Sequence, residues 1–263
     1  MKNIDVGFVN FKTPKLTKIC LKFLKKNVLD EVNKIFVVDN NSNDKSLQLL
    51  KKTKFIDLIE RKEIDDNSYQ AHGRALDAIV KASKADYLLI IHSDTFIFSN
   101  ELISTMLKDM QKNKKNFVVG CLQQTKKSLQ RKLSRLIKKF FRKYTRLILN
   151  FFGTNYRISN FKEVHIKSFC ALYNLKLIKK YNLSFYNNIK ETPSYHMQDY
   201  LEEKKFKRVV WSDKKMFSFL DHVQEGTRAE GGKFFKRPKR FLRYQSLIKL
   251  SLYKDKLRHP WAT

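Results

Sequence analysis

The chain has 263 residues, with 55 Lys and Arg against 25 Asp and Glu (formal net charge +30) and 42% hydrophobic residues, including 21 Phe and 11 Tyr. That length suits one large domain or two small ones with a real core, and so much aromatic area excludes a disordered chain. No run of 18 apolar residues exists to span a bilayer, and the charge calls for an anionic partner: nucleic acid, nucleotide or acidic membrane.

Short apolar runs at 4–9, 35–38, 56–59, 87–91 and 117–119 predict buried strands. Between them, segments 14–26, 45–52, 70–82 and 101–113 carry apolar residues near i, i+3 and i+4 and predict helices. Thr13-Pro14 and Asn43-Asp44 are helix-start signals. The alternation reads as an α/β, Rossmann-like, mostly parallel twisted sheet covered by helices on both faces. In such sheets a ligand lies beyond the C-terminal strand ends, so the residues after each strand are the ones that matter.

Three of those ends are polar: Val9-Asn10-Phe11, the run Asp39 to Asp44, and His92-Ser93-Asp94-Thr95. A carboxylate there can accept from a base N–H or a ribose hydroxyl, or ligate a hard cation. Taken singly, Asp39 and Asn43 also read as turn and cap residues. Three polar ends on one sheet edge point to a nucleotide or phosphate site.

Val37-Val38-Asp39-Asn40-Asn41-Ser42-Asn43-Asp44 resembles the second-strand signature of family 2 glycosyltransferases of the GT-A fold. The resemblance runs over about residues 4–105, through Asn67, His72-Gly73-Arg74-Ala75-Leu76-Asp77 and residues 85–91, to Ser93-Asp94-Thr95. It implies a nucleotide-sugar donor whose base is contacted by Asp39, supported by Val9, Asn10, Phe11 and Asn67. It also turns Asn41, Gly73, His92 and Ser93 toward the donor. Asp94 matches the last aspartate of the family's metal-binding Asp-x-Asp motif, with His92 where the first aspartate stands. The resemblance therefore implies Mn2+ or Mg2+ on Asp94, bridging to the diphosphate.

Farther along, 166–173 looks like the strand that introduces the acceptor side, followed by a short helix from Lys176. Tyr195-His196-Met197-Gln198-Asp199 is similar to the family's acidic pair at the opening of a helix, with Gln198 replacing the first acid. Asp199 then falls at the catalytic base, poised to take a proton from an acceptor hydroxyl in an inverting single displacement. A strand at 206–211 and the run 219–223 follow, and His222 matches a histidine that closes over the metal in relatives. Gly226-Thr227-Arg228 reads as a loop closing on the donor, with Arg228 near phosphate.

The charge is concentrated. Residues 1–109 carry 18 bases and 15 acids, residues 110–162 carry 15 bases and no acid, and 10 bases lie between Lys233 and Arg258. Residues 126–152 predict a helix with Leu133, Phe140, Tyr144 and Phe151 on one face and Arg131, Arg135, Arg142 and Arg146 on the other. Such a helix suits an anionic membrane surface. In the tail, 234–243 mixes aromatics with bases and 247–257 continues an apolar face, which fits peripheral anchoring or, as a rival, stacking on single-stranded nucleic acid.

The expected organisation is therefore a nucleotide-sugar half (1–120), a basic amphipathic insertion (121–160), an acceptor half (161–230) and a basic tail (231–263). The acceptor expected is a glycolipid or cell-envelope saccharide. The opening residues lack a secretory pattern, and Cys20, Cys121 and Cys170 are odd in number and isolated, so neither a disulfide framework nor a zinc knuckle is indicated. A cytoplasmic, peripheral membrane setting fits best.

Overall fold

The computed structural model describes residues 3–63, 65, 67–125, 129–154, 163–187, 192–223, 226, 230, 245–246, 248–250 and 252. These form two units: residues 1–125 with 166–263, and residues 126–165.

The first unit begins as the apolar runs predict, with β1 (Ile4–Asn10), α1 (Pro14–Asn27), β2 (Lys34–Asn40), α2 (Lys45–Lys51), β3 (Asp57–Arg61), α3 (Ser68–Ala82) and β4 (Tyr87–His92). Pro14 stands in the first turn of α1, where its missing N–H costs nothing. Asp44 caps α2 by accepting from Ser46 N at 2.8 Å, and Asn67 caps α3 by accepting from the N–H groups of Tyr69 and Gln70, both at 3.0 Å. Next come β5 (Thr95–Ile97), α4 (Glu101–Gln111) and β6 (Asn116–Cys121).

The second unit contains α5 (Leu129–Phe151), a single long helix. Among its described side chains Ile137, Phe140, Phe141, Tyr144, Leu147, Ile148 and Phe151 are exposed. The Phe140 and Tyr144 rings meet at 4.5 Å, one turn apart.

The chain returns to the first unit with β7 (Cys170–Asn174), α6 (Leu175–Lys180), α7 (Tyr195–Glu203), β8 (Lys207–Trp211), α8 (Asp213–Met216) and β9 (Leu220–His222). The sheet has seven strands in the order β3-β2-β1-β4-β7-β6-β8. β7 is antiparallel to both its neighbours and every other adjacent pair is parallel. β5 and β9 form a separate antiparallel ribbon.

Strand β7 starts four residues later than the apolar run suggests. The backbone N–H and C=O of Ile166 are taken by the Gln198 side chain at 2.9 and 3.0 Å, and Lys167 N donates to Cys121 O. A backbone bonded to a side chain is not available to a ladder.

Both faces of the sheet are covered. Leu16, Cys20, Phe23 and Leu24 of α1 and Met106 of α4 pack on one side, and Leu76 and Ile79 of α3 with Met197 and Leu201 of α7 pack on the other. Ile248 is 4% exposed within the first of these cores, and Leu252 packs against it. The apolar face expected at 247–257 to meet a membrane thus spends these two residues on the protein's own core, while Leu250 is exposed. Residues 231–244 lie outside the described set.

Candidate active site

β1 lies between β2 and β4, so its last residues face both of the other polar strand ends. Asn10 pairs in register with Asp39, and Val9 with His92. Asn10 is fully buried, and its amide nitrogen lies 2.6 Å from Asp39 Oδ1, 2.8 Å from Ser46 Oγ and 3.1 Å from Ser42 Oγ. Its amide oxygen accepts from Thr17 at 2.7 Å and Thr13 at 3.1 Å. Ser42 N donates to the other Asp39 oxygen at 3.0 Å. The β2–α2 turn allows this because Asn41 and Asn43 both adopt positive φ, which asparagine tolerates. Asn41 Oδ1 accepts from Asn43, and Phe11 is exposed beside the buried network.

Thr13 links this network to the next strand, reaching Ser93 Oγ at 3.5 Å. Beyond Ser93, three ligand-type atoms converge: those of His92, Asp94 and His222 lie within 4.8 Å of one another. β9 brings His222 there through its pairing with β5, where Thr95 faces His222. His222 Nε2 stands 3.1 Å from Asp94 Oδ1, and His92 Nδ1 stands 3.9 Å from the same oxygen. The other Asp94 oxygen accepts from Gly226 N at 3.0 Å. A Cβ at position 226 would lie 2.9 Å from that carboxylate and 2.5 Å from Leu16, so only glycine permits the approach.

The electrostatics follow from burial. Burial alone would raise the Asp94 pKa, but His222, His92 and the Gly226 N–H outweigh it and hold the carboxyl well below its usual range. Burial pushes His92 down to about 3, against the pull of Asp94 and with help from His72 and His222. For His222 burial also opposes charge, yet Asp94 and the Gln124 carbonyl prevail and raise its pKa.

His222 supplies a direct test of whether a metal ion fits. Its Nδ1 is 2.8 Å from the Gln124 carbonyl, which can only accept, so that nitrogen carries the proton. In the neutral ring Nε2 then offers a lone pair to the Asp94 carboxylate. Nε2 is buried and close to Oδ1 without the alignment of a hydrogen bond. Two electron-rich atoms so placed need a cation between them, either a second proton on the ring or a metal ion. Imidazole and carboxylate are ordinary ligands for divalent ions, and a histidine whose other nitrogen donates to a carbonyl is oriented for the task. The residues fit.

Other expected site residues fall elsewhere. Asn67 spends its side-chain oxygen on the α3 cap. Gly73 is buried in α3, where a Cβ would lie 2.8 Å from the Tyr186 Cα, so its place is a close packing contact. Asp199 does not open its helix: it is the fifth residue of α7, exposed, while its neighbour Gln198 is fully buried on Ile166. The dipole argument for an ionised base weakens accordingly, because that effect fades beyond the first turn. Arg228 lies outside the described residues.

One residue of the site was passed over in the sequence. His72 of α3 packs edge-on against His92 at 5.6 Å, its Nε2 buried with no hydrogen-bond partner among the described residues. Burial lowers its pKa to about 4. Its placement inside the resembling segment was the available signal, since three of the chain's six histidines meet here. Arg61 is a second such residue: it donates to Asn40 Oδ1 at 2.6 Å and to Ala71 O at 3.0 Å, tying the β2 end to α3. All three cysteines are buried and free.

Residues 6–181 match the family described as glycosyl transferase family 2. No curated protein matches in sequence. Among solved structures, the mannosyltransferase PcManGT from Pyrobaculum calidifontis, in complex with GDP-Man and Mn2+, superposes with a TM-score of 0.57 at 12% identity, covering 80% of this chain and 55% of that one. S. aureus TarS 1-349 in complex with UDP-GlcNAc gives 0.50 at 17% identity, covering 81% and 56%. The chain thus spans little more than half the length of these structures, and the likeness establishes the GT-A fold.

Proposed function

The chain belongs to glycosyl transferase family 2, and we propose that it moves a sugar from a nucleotide-diphosphate donor to a hydroxyl of a glycolipid or cell-envelope saccharide. The observation that carries this reading is the meeting of the Asp94–His222–His92 cluster with the Asn10–Asp39 pair at adjoining strand ends. A diphosphate, through a divalent cation, and a nucleoside are the two parts of a nucleotide-sugar that such groups recognise. The nucleotide-sugars held by PcManGT and TarS make that donor class the one to test.

In this reading Asp94 and His222, with Mn2+ or Mg2+, bind the donor diphosphate. When bound, the ion supplies neutralising charge for the departing nucleotide. Asp39, held by Asn10 and by Ser42 N, takes the base or ribose. Asp199, an exposed carboxylate on α7, removes the acceptor proton as that oxygen displaces the nucleotide with inversion. The acid-free basic helix α5 brings the site to an anionic lipid surface through its exposed Phe140, Phe141 and Phe151. No described helix is long and apolar enough to cross a membrane.

The test is a calorimetric screen of UDP- and GDP-sugars against the full chain with and without Mn2+, followed by product analysis with Asp199→Asn. The reading expects metal-dependent binding of one donor, and loss of transfer with binding kept in the variant. Undiminished turnover by Asp199→Asn moves the base elsewhere, and no binding of any donor overturns the function.

A further inference from the structure

Resting on the metal reading above, the ring of His92 poses its own question. It stands where the resembling motif has its first aspartate, and an imidazole nitrogen is chemically a different donor from a carboxylate oxygen. Ser168 Oγ lies 3.1 Å from its Nε2, and Ser168 is itself 6% exposed. With Nε2 engaged by that hydroxyl, Nδ1 is the atom left facing Asp94 Oδ1. His222 repeats the arrangement, with one nitrogen on the Gln124 carbonyl and the other on the same Asp94 oxygen. Two imidazoles, each tethered through its far nitrogen, thus turn their near nitrogens on one carboxylate. The rings are neighbours, with centroids 5.6 Å apart, and His72 packs edge-on to His92 at the same distance.

We propose that His92 is a direct third protein ligand, so that the site is a two-imidazole, one-carboxylate set that takes first-row transition ions such as Co2+, Fe2+ or Zn2+, with Mn2+ next and Mg2+ last. Imidazole nitrogen suits the later transition ions, whereas Mg2+ prefers oxygen and gives up its waters reluctantly. The separations agree with a shared ion. Ligand bonds of about 2.1 Å cannot set two donors much more than about 4.2 Å apart, so a set spread over no more than 4.8 Å closes with a small side-chain adjustment. Two tethered rings also cost little further ordering when the ion binds.

The experiment uses the full chain, untagged and stripped with a chelator, in separate calorimetric titrations with CoCl2, MnCl2 and MgCl2 and no donor present. Visible absorption of the Co2+ form reports nitrogen coordination independently. The expected order is Co2+ tightest and Mg2+ weakest, with a Co2+ to Mg2+ affinity ratio above about 100. His92→Asp should lower that ratio by about 10–100-fold, the range for losing one well-held ligand contact. Where His92→Asp fails to fold, proton NMR of the wild-type Co2+ form decides instead: two hyperfine-shifted imidazole N–H resonances are expected, and one alone overturns His92 as a ligand. A ratio unmoved in folded His92→Asp overturns His92 as a ligand and leaves Asp94 and His222 standing, whereas equal Co2+ and Mg2+ affinities in the wild-type chain overturn both imidazoles as ligands. Failure of every ion to bind the wild-type chain overturns both readings together.

Discussion

Asn10 donates to Asp39 at 2.6 Å across two paired strands, and both residues are buried. One amide thereby fixes the carboxylate, two serines and two threonines at the ends of β1 and β2. Buried networks of this kind are worth more intact than their parts suggest. Asn10→Ala leaves several buried groups without their partner, and should lower the unfolding free energy by about 1–3 kcal/mol. Denaturant titration measures that loss. Calorimetry should show donor affinity falling in the same variant, while Asp39→Ala should weaken the donor at a smaller cost to stability.

The pH response of the metal site has a definite sign. In the metal-free chain His222 has a raised pKa, because Asp94 and the Gln124 carbonyl outweigh burial. Its stabilising charge is fully present below the unfolded value of about 6.5 and is lost as pH rises through the folded value. The stability gap between wild type and His222→Gln should therefore shrink as pH rises above about 6.5 when no metal is present. Metal binding must displace that proton, so Mn2+ affinity should rise over the same interval. Thermal unfolding with and without Mn2+ reads both trends, and a gap that widens with pH rules out the protonated pair.

Asp109 predicts the acid limb. It accepts from Lys112 and Lys215, both at 2.6 Å, and from Trp211 Nε1 at 2.9 Å, tying α4 to β8 and α8. Burial opposes its charge, but these three donors hold the pKa down to about 2. Its contribution is present above the ordinary value of about 3.9 and is lost as pH falls through about 2. Asp109→Asn should be less stable than wild type at neutral pH, and the two curves should draw together as pH falls from about 4 and converge only below about 2. Acid titration followed by circular dichroism checks it.

Gln198 carries a prediction about the acceptor side. It is fully buried and bonds Ile166 through both N–H and C=O. Gln198→Ala should cost about 1–3 kcal/mol through the orphaned backbone groups. Gln198→Glu, which restores an acid of the resembling motif, can no longer donate to the Ile166 carbonyl and buries a charge, so it should be no better. Denaturation midpoints that match wild type for both variants would remove the residue from the core.

Membrane contact has its own arm. Phe140→Ser with Phe141→Ser should abolish co-sedimentation with phosphatidylglycerol vesicles, and raised salt should weaken wild-type binding. Equal binding to neutral vesicles would show that the basic face plays no part.

The strands and helices of the donor side were legible because period and punctuation agree there: apolar runs end in Asn, Asp and Ser, and Asp44 caps where it is expected to. β5 was not legible, since Thr95–Ile97 is three residues long and gains meaning only by pairing with β9. Asp94 and His222 could be read from the resemblance. The meeting of His72 with His92 could not, because it depends on how α3 lies against β4. Asp199 shows the opposite limit: a motif locates a helix, but one turn of displacement changes what its dipole can do.

The antiparallel strand β7 also governs how the protein can be made. β6 is wholly buried, and its sheet partners are β7 and β8 alone, both encoded later in the chain. At about 5–20 residues per second, a ribosome releases β6 several seconds before β7 can cover it. Throughout that interval a six-residue strand with both edges unpaired waits while the basic stretch of 126–165 emerges. Premature termination or slow codons in that stretch would thus prolong the most aggregation-prone stage of biosynthesis, and truncation after Cys121 would yield a donor half with a permanently open sheet edge.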